Sequence, residues 1–220
     1  MKVPWRRAPY LVAFVLVASA VAVNAAIGNR LWLVYSLVGL LGTFTLAALD
    51  RAYHWHLPDR LLWWTTVPLA MHYLGGSLSG LHQWGPNGLY YALPWWDNLV
   101  HFLGAGAAGV AAAYLLAPRT ATRRLAIFVA GCVATTLGTA VELYEFTGFL
   151  WFDTVDQGYY TNTLLDLYYN ALGSFTGAWL WLRQQDLPDD SLDSPDDALI
   201  PPIQIESGQS ADGFSPPRHP

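Results

Sequence analysis

This chain is poor in charge: 12% of its 220 residues are Asp, Glu, Lys or Arg, against about 25% in an average soluble domain. Lysine occurs once, at Lys2, and no basic run is present, which excludes a nucleic-acid surface. The single cysteine, Cys132, excludes an intramolecular disulfide and a cysteine-based metal site. No phosphate-binding loop, dinucleotide fingerprint or Asn-x-Ser/Thr sequon occurs. What remains is apolar and aromatic. Hydrophobic residues make up 54% of the chain, with eleven Trp and twelve Tyr, the two residues that gather at bilayer interfaces.

About 20 apolar residues cross a hydrocarbon core. Six segments meet that length: 9–27, 31–49, 61–80, 97–117, 125–150 and 162–182. The expected fold is an all-α, polytopic bundle of six spans over residues 1–183, with the polar-site half at about 60–183. Pro58, Pro86, Pro94 and Pro118 fall in or beside the connections, where helices stop. Pro68 lies inside the third span and predicts a kink. Trp63, Trp64, Trp95 and Trp96 read as interface anchors.

Basic residues set the expected orientation. With the N-terminus in the cytoplasm, Lys2, Arg6, Arg7, Arg51, Arg60, Arg119, Arg123, Arg124, Arg183 and Arg218 lie inside and only Arg30 outside. That asymmetry predicts a multi-pass protein of the cell membrane with both termini cytoplasmic. The start of the chain resembles a signal peptide, with Ala18-Ser19-Ala20 as a cleavage site. The apolar run continues past that point, so it reads as a retained span. Residues 184–220 hold eight of the sixteen acids and too few apolar groups to fold alone, which predicts a disordered acidic tail.

Against this background the ionisable residues inside the spans are informative. A charge at the bilayer centre costs roughly 2.5–3.5 kcal/mol, so such groups face a protein interior or a wet cavity. They occur as Asp97-x-x-x-His101, Glu142-x-x-Glu145 and Asp166-x-x-x-Asn170. At a rise of about 1.5 Å per residue, all six fall within roughly 15 Å of the expected outer surface. Helical spacing also defines faces: Asp97, His101, Gly104, Ala108; Gly131, Thr135, Gly138, Glu142, Glu145; and Asn162, Asp166, Asn170, Gly173, Gly177. Each stripe is polar at its outer end and small below. Small residues let helices approach closely in lipid, as in Gly173-x-x-x-Gly177. The three spans are expected to pack tightly in the inner leaflet and to part around an outward-facing pocket. His72 and Tyr73 are placed to form a fourth wall. The outer connections 81–96 and 151–161 are suited to cover it, the second adding Asp153, Asp156, Tyr159 and Tyr160. His54-Trp55-His56 reads as an interfacial loop.

Three stretches, WDNLVHFLGAGAAG (96–109), AVELYEFTG (140–148) and DLYYNALGSFTG (166–177), resemble the YjdF-like inner-membrane proteins and, more distantly, the VanZ-like family. The resemblance covers about residues 60–182. Where VanZ-like proteins usually have Glu followed by Gln, this chain has Glu142 and Glu145, which favours the YjdF-like side. It implies a polytopic membrane protein and little chemistry.

Four readings of the pocket stay open. It binds a lipid headgroup or small polar ligand through Asp97, His101, Glu142, Glu145, Asp166, Asn170 and His72, with His101, Glu142 and Glu145 free for acid–base catalysis. It holds a divalent metal through Asp97, His101, Glu142, Glu145 and Asp166, as facing helices do in di-metal bundles. It belongs to a proton-coupled transporter, although the first two spans carry no matching acids. Or its polar groups fix helix register.

Overall fold

A computed structural model describes residues 8–55, 57–78, 88–152 and 160–185. Among these residues the chain is all-helical, without a strand. Seven α-helices follow in order: α1 (Ala8–Ile27), α2 (Arg30–Ala52), α3 (Asp59–Ser77), the short α4 (Leu89–Ala92), α5 (Trp96–Leu116), α6 (Arg123–Phe152) and α7 (Tyr160–Leu182). Local chemistry sets several of the ends. Gly28 takes φ +71° between α1 and α2, a conformation that favours glycine. Asn29 then caps α2, its side chain accepting from the Trp32 amide. Pro58 precedes α3, and Pro118 falls in the 3-10 turn that follows α5.

Four of the helices are long and apolar enough to cross a membrane: α1, α2, α5 with its 3-10 extension, and α6 up to Thr147. The six expected spans correspond in position to the six long helices, but α3 and α7 fall short of that measure. α3 carries Asp59, Arg60, Thr65, Thr66 and His72, and α7 carries Asn162, Asp166 and Asn170. Pro68 lies inside α3, which stays helical through it. The outward surface is apolar: Val38, Leu41, Phe44 and Phe128 are each more than 60% exposed, a belt suited to lipid.

Two groups of helices pack together. α5, α6 and α7 form the most extensive contacts, α1 packs on α2 and α3, and α3 joins the groups through α5. The α5–α7 crossing is very close. A Cβ on Gly177 would overlap the backbone of Gly106, one on Gly173 that of Phe102, and one on Gly109 that of Ser174. Gly173-x-x-x-Gly177 therefore acts as expected, but its partner stripe on α5 is Phe102, Gly106 and Gly109. Gly104 and Ala108, assigned to that face by spacing, line a cavity instead.

One end of the bundle is basic. The Arg60 guanidinium lies 4.0 Å over the Trp181 ring and donates to Gln184, while Arg123 donates to the Gln185 carbonyl. At the other end the N-terminal helices are tied by a buried polar knot. The Asn24 amide reaches the Ala20 carbonyl, Ser36 and Ser77 at 2.9, 3.3 and 3.1 Å. Trp96, expected at an interface, is buried and packs on Gly75; Trp63 and Trp95 are exposed. Residues 81–87 of the expected cover, Asp153, Asp156, Tyr159, His56, the first seven residues and the tail from 186 onward lie outside the described residues.

Candidate functional site

α5, α6 and α7 bring the three sequence motifs to one point. Residues four apart share a helix face, so α5 presents Asp97 and His101 together, and α7 presents Asn162, Asp166 and Asn170. α6 supplies Glu142. The glycines of the α5–α7 crossing bring those two helices close. Gly138 on α6 adds room, since a Cβ there would meet Asn170 Cγ at 2.8 Å.

His101 is the centre. Its Nε2 lies 3.4 Å from Asp97 Oδ1 and 3.9 Å from Asp166 Oδ1. Its Nδ1 lies 3.2 Å from Asn170 Oδ1 and 3.3 Å from Glu142 Oε1. Asn162 bridges the two aspartates from behind, its Nδ2 donating to Asp97 Oδ2 at 3.0 Å and to Asp166 Oδ2 at 2.6 Å. Glu142, Asp166 and Asn170 are buried, at 4%, 1% and 2% exposure. Both Glu142 oxygens and Asp166 Oδ1 have no hydrogen-bond partner among the described residues. Asp97, His101 and Asp166 each offer a ligand atom within 4.8 Å of the other two.

The charge is one-sided. Asp97, Glu142 and Asp166 surround one imidazole, Glu145 adds a fourth carboxylate nearby, and residues 61–118 and 125–182 contain no Lys or Arg. Buried carboxylates in this number need a cation or a proton to compensate them.

A cavity of about 660 Å³ opens beside the cluster. Asp97, His101, Glu145, Asn162 and Asn170 form its polar wall, and Trp32, Tyr35, Leu69, His72 and Tyr90 the opposite one. Gly104, Ala108 and Leu137 also line it. Glu142 and Asp166 sit behind the polar wall, and Glu145 faces the cavity. His72 shares the cavity but belongs to the aromatic side: its Nδ1 is 2.8 Å from the Tyr90 hydroxyl and its ring 5.0 Å from that of Trp32. Burial raises the Tyr90 phenol well above its ordinary range, so it stays protonated in its hydrogen bond with His72.

Asn162 was legible as part of the α7 stripe, but its double contact with the aspartates was not. Tyr90 falls in the 81–96 connection expected to cover the pocket, whereas Trp32 gave no sequence signal of a site, since aromatics in a membrane chain are read first as interface residues.

An all-helical bundle with an apolar exterior and a buried acid–imidazole cluster defines an integral membrane protein. Residues 8–187 match the family described as "Predicted membrane protein (DUF2238)", and the chain belongs to that family. No curated protein and no solved structure is detectably similar to it.

Proposed function

We propose that this is a multi-pass protein of the cell membrane whose outward-facing pocket binds the head of an amine-bearing lipid or a small polar ligand of that chemistry. In this reading the chain crosses six times and both termini are cytoplasmic. Residues 1–183 form the membrane domain and 184–220 an acidic, disordered tail. The carrying observation is the cavity's two unlike walls, acidic and amide-rich on one side, aromatic and aliphatic on the other. Such a cavity suits an amphipathic occupant with its polar end against Asp97, Glu145 and Asn162. The lining has carboxylates and no Lys or Arg. That charge favours a positively charged head. His101, Glu142 and Glu145 are then proton donors and acceptors beside the bound head.

Filling the cavity tests this without touching the carboxylates. Gly104 and Ala108 both line the cavity, and Gly104 has nothing within 4 Å of a built Cβ, so Gly104→Trp and Ala108→Trp should exclude the occupant. Mass spectrometry of the detergent-purified protein should find an amine-headed lipid or ligand enriched in the wild type and lost in both variants. Wild type carrying only the bulk membrane composition, or tryptophan variants that keep the occupant, would sink the reading.

Orientation has its own check. In a Cys132→Ser background, Trp95→Cys is expected to react with a membrane-impermeant maleimide in intact cells, and Ala121→Cys only after lysis. Both native residues are exposed at opposite ends of α5. The reverse labelling pattern would invert the topology.

A further inference from the structure

We infer that His101 Nε2, Asp97 Oδ1 and Asp166 Oδ1 hold a divalent first-row metal ion, with its remaining coordination positions open to the cavity. The inference deepens the pocket reading and rests on it only for what fills those open positions.

The first argument is the orientation of the imidazole. Both groups facing Nδ1, Asn170 Oδ1 and Glu142 Oε1, are acceptors, so Nδ1 carries the hydrogen. That leaves the Nε2 lone pair facing two carboxylate oxygens, which repel it unless a cation lies between them. A metal-bound histidine usually donates its other ring N–H to a carboxylate or carbonyl oxygen in this way.

Spacing then separates a proton from a metal. The Nε2 distances of 3.4 and 3.9 Å are too long for well-formed N–H···O bonds, whose range is about 2.7–3.2 Å. Bonds of about 2.1 Å to a shared ion put neighbouring ligand atoms roughly 3.0–4.2 Å apart, depending on the angle between them. Both distances lie in that range. The three residues together offer a set of ligand atoms within 4.8 Å of one another.

The support around the triad points the same way. Asn162 holds the rear oxygen of each aspartate, so the two Oδ1 atoms are turned toward the same space. Asp166, 1% exposed, leaves its Oδ1 unpartnered there. An unsatisfied buried carboxylate oxygen is costly, and a cation removes that cost. Two carboxylates also neutralise one divalent ion. Glu142, which lies at the opposite ring nitrogen, is a positioning residue and not a ligand. One imidazole with two carboxylates favours manganese or iron(II) over magnesium and calcium, which prefer all-oxygen shells.

The test uses the full-length protein, stripped with chelator, purified in detergent and titrated with Mn²⁺ while free Mn²⁺ is followed by EPR. Wild type should show one saturable site and a raised unfolding temperature when Mn²⁺ is bound. Asp166→Asn should lose that site. Asn162→Ala should keep it with affinity weakened about 10–100-fold, as for other supporting residues around metal ligands. No saturable site in the wild type overturns the inference, as does Mn²⁺ binding that Asp166→Asn leaves unchanged, which would assign the ions to the acidic tail. If Asp166→Asn fails to fold, unaltered affinity in Asn162→Ala overturns it instead. Because the lipid readout and the Mn²⁺ readout are separate, the metal and the pocket occupant can fail independently.

Discussion

Gly177→Ala is expected to lower the stability of the folded bundle by about 1–3 kcal/mol or more, the usual cost of forcing atoms into a packed interior. The added methyl would meet the Gly106 carbonyl carbon at 2.7 Å and its Cα at 2.9 Å. Those are backbone atoms, so no side chain can swing away, and α7 must move off α5. The contrast lies on α5 itself. Gly104→Ala meets nothing within 4 Å and should be neutral or slightly stabilising, because alanine is the better helix former by about 0.8–1.0 kcal/mol. Unfolding in detergent, followed by circular dichroism, would compare the two. Equal midpoints for Gly177→Ala and the wild type would mean that the close α5–α7 crossing is not what holds the bundle. The change should also be felt at the site, since Asn162, Asp166 and Asn170 ride on α7. Their distances to Asp97 and His101 would all grow together.

His101→Ala should be the most damaging change within the cluster, at about 3–5 kcal/mol, because it leaves the buried carboxylates uncompensated. The imidazole is 10% exposed and lies between Asp97, Glu142 and Asp166. Without it these carboxylates face one another, and residues 61–118 and 125–182 hold no Lys or Arg to compensate them. Neutralising one of them should recover part of the loss. The double variant His101→Ala, Asp166→Asn is therefore expected to be more stable than His101→Ala alone, and a double-mutant cycle would measure the coupling. His72→Ala is the control. Its ring packs on Trp32 and bonds to Tyr90 rather than to Asp166, so Asp166→Asn should not rescue it. Strictly additive effects of His101→Ala and Asp166→Asn would show that the two side chains are not electrostatically coupled.

Much of this arrangement was readable before any coordinates. Runs of apolar residues broken by arginine and proline located the six long helices to within a few residues. Helical periodicity put Asp97 with His101 and Asp166 with Asn170, because residues four apart share a face whatever surrounds the helix. The glycine pair on α7 was recognised as a contact for the same reason. α3 and α7 were harder to judge as spans, since the polar residues that build the site also reduce the apolar character by which a span is recognised.

What the sequence could not determine was how each helix is rotated against its neighbours. On α5 two small stripes run side by side, one through Gly104 and Ala108 and the other through Gly106 and Gly109. Both have helical spacing, and only contact with α7 decides between them: the second meets Gly173 and Gly177, which turns the first toward the cavity. That rotation aims His101 Nε2 at both aspartates and leaves Nδ1 to Asn170 and Glu142. It also leaves Asn162 able to reach Asp97, 65 residues away in sequence, and sets Trp32 and Tyr90 across the cavity from the acids. Periodicity assigns residues to faces within one helix. Which faces meet, and therefore which atoms lie within bonding distance, is decided by close packing between helices, where a single Cβ is enough to forbid a contact.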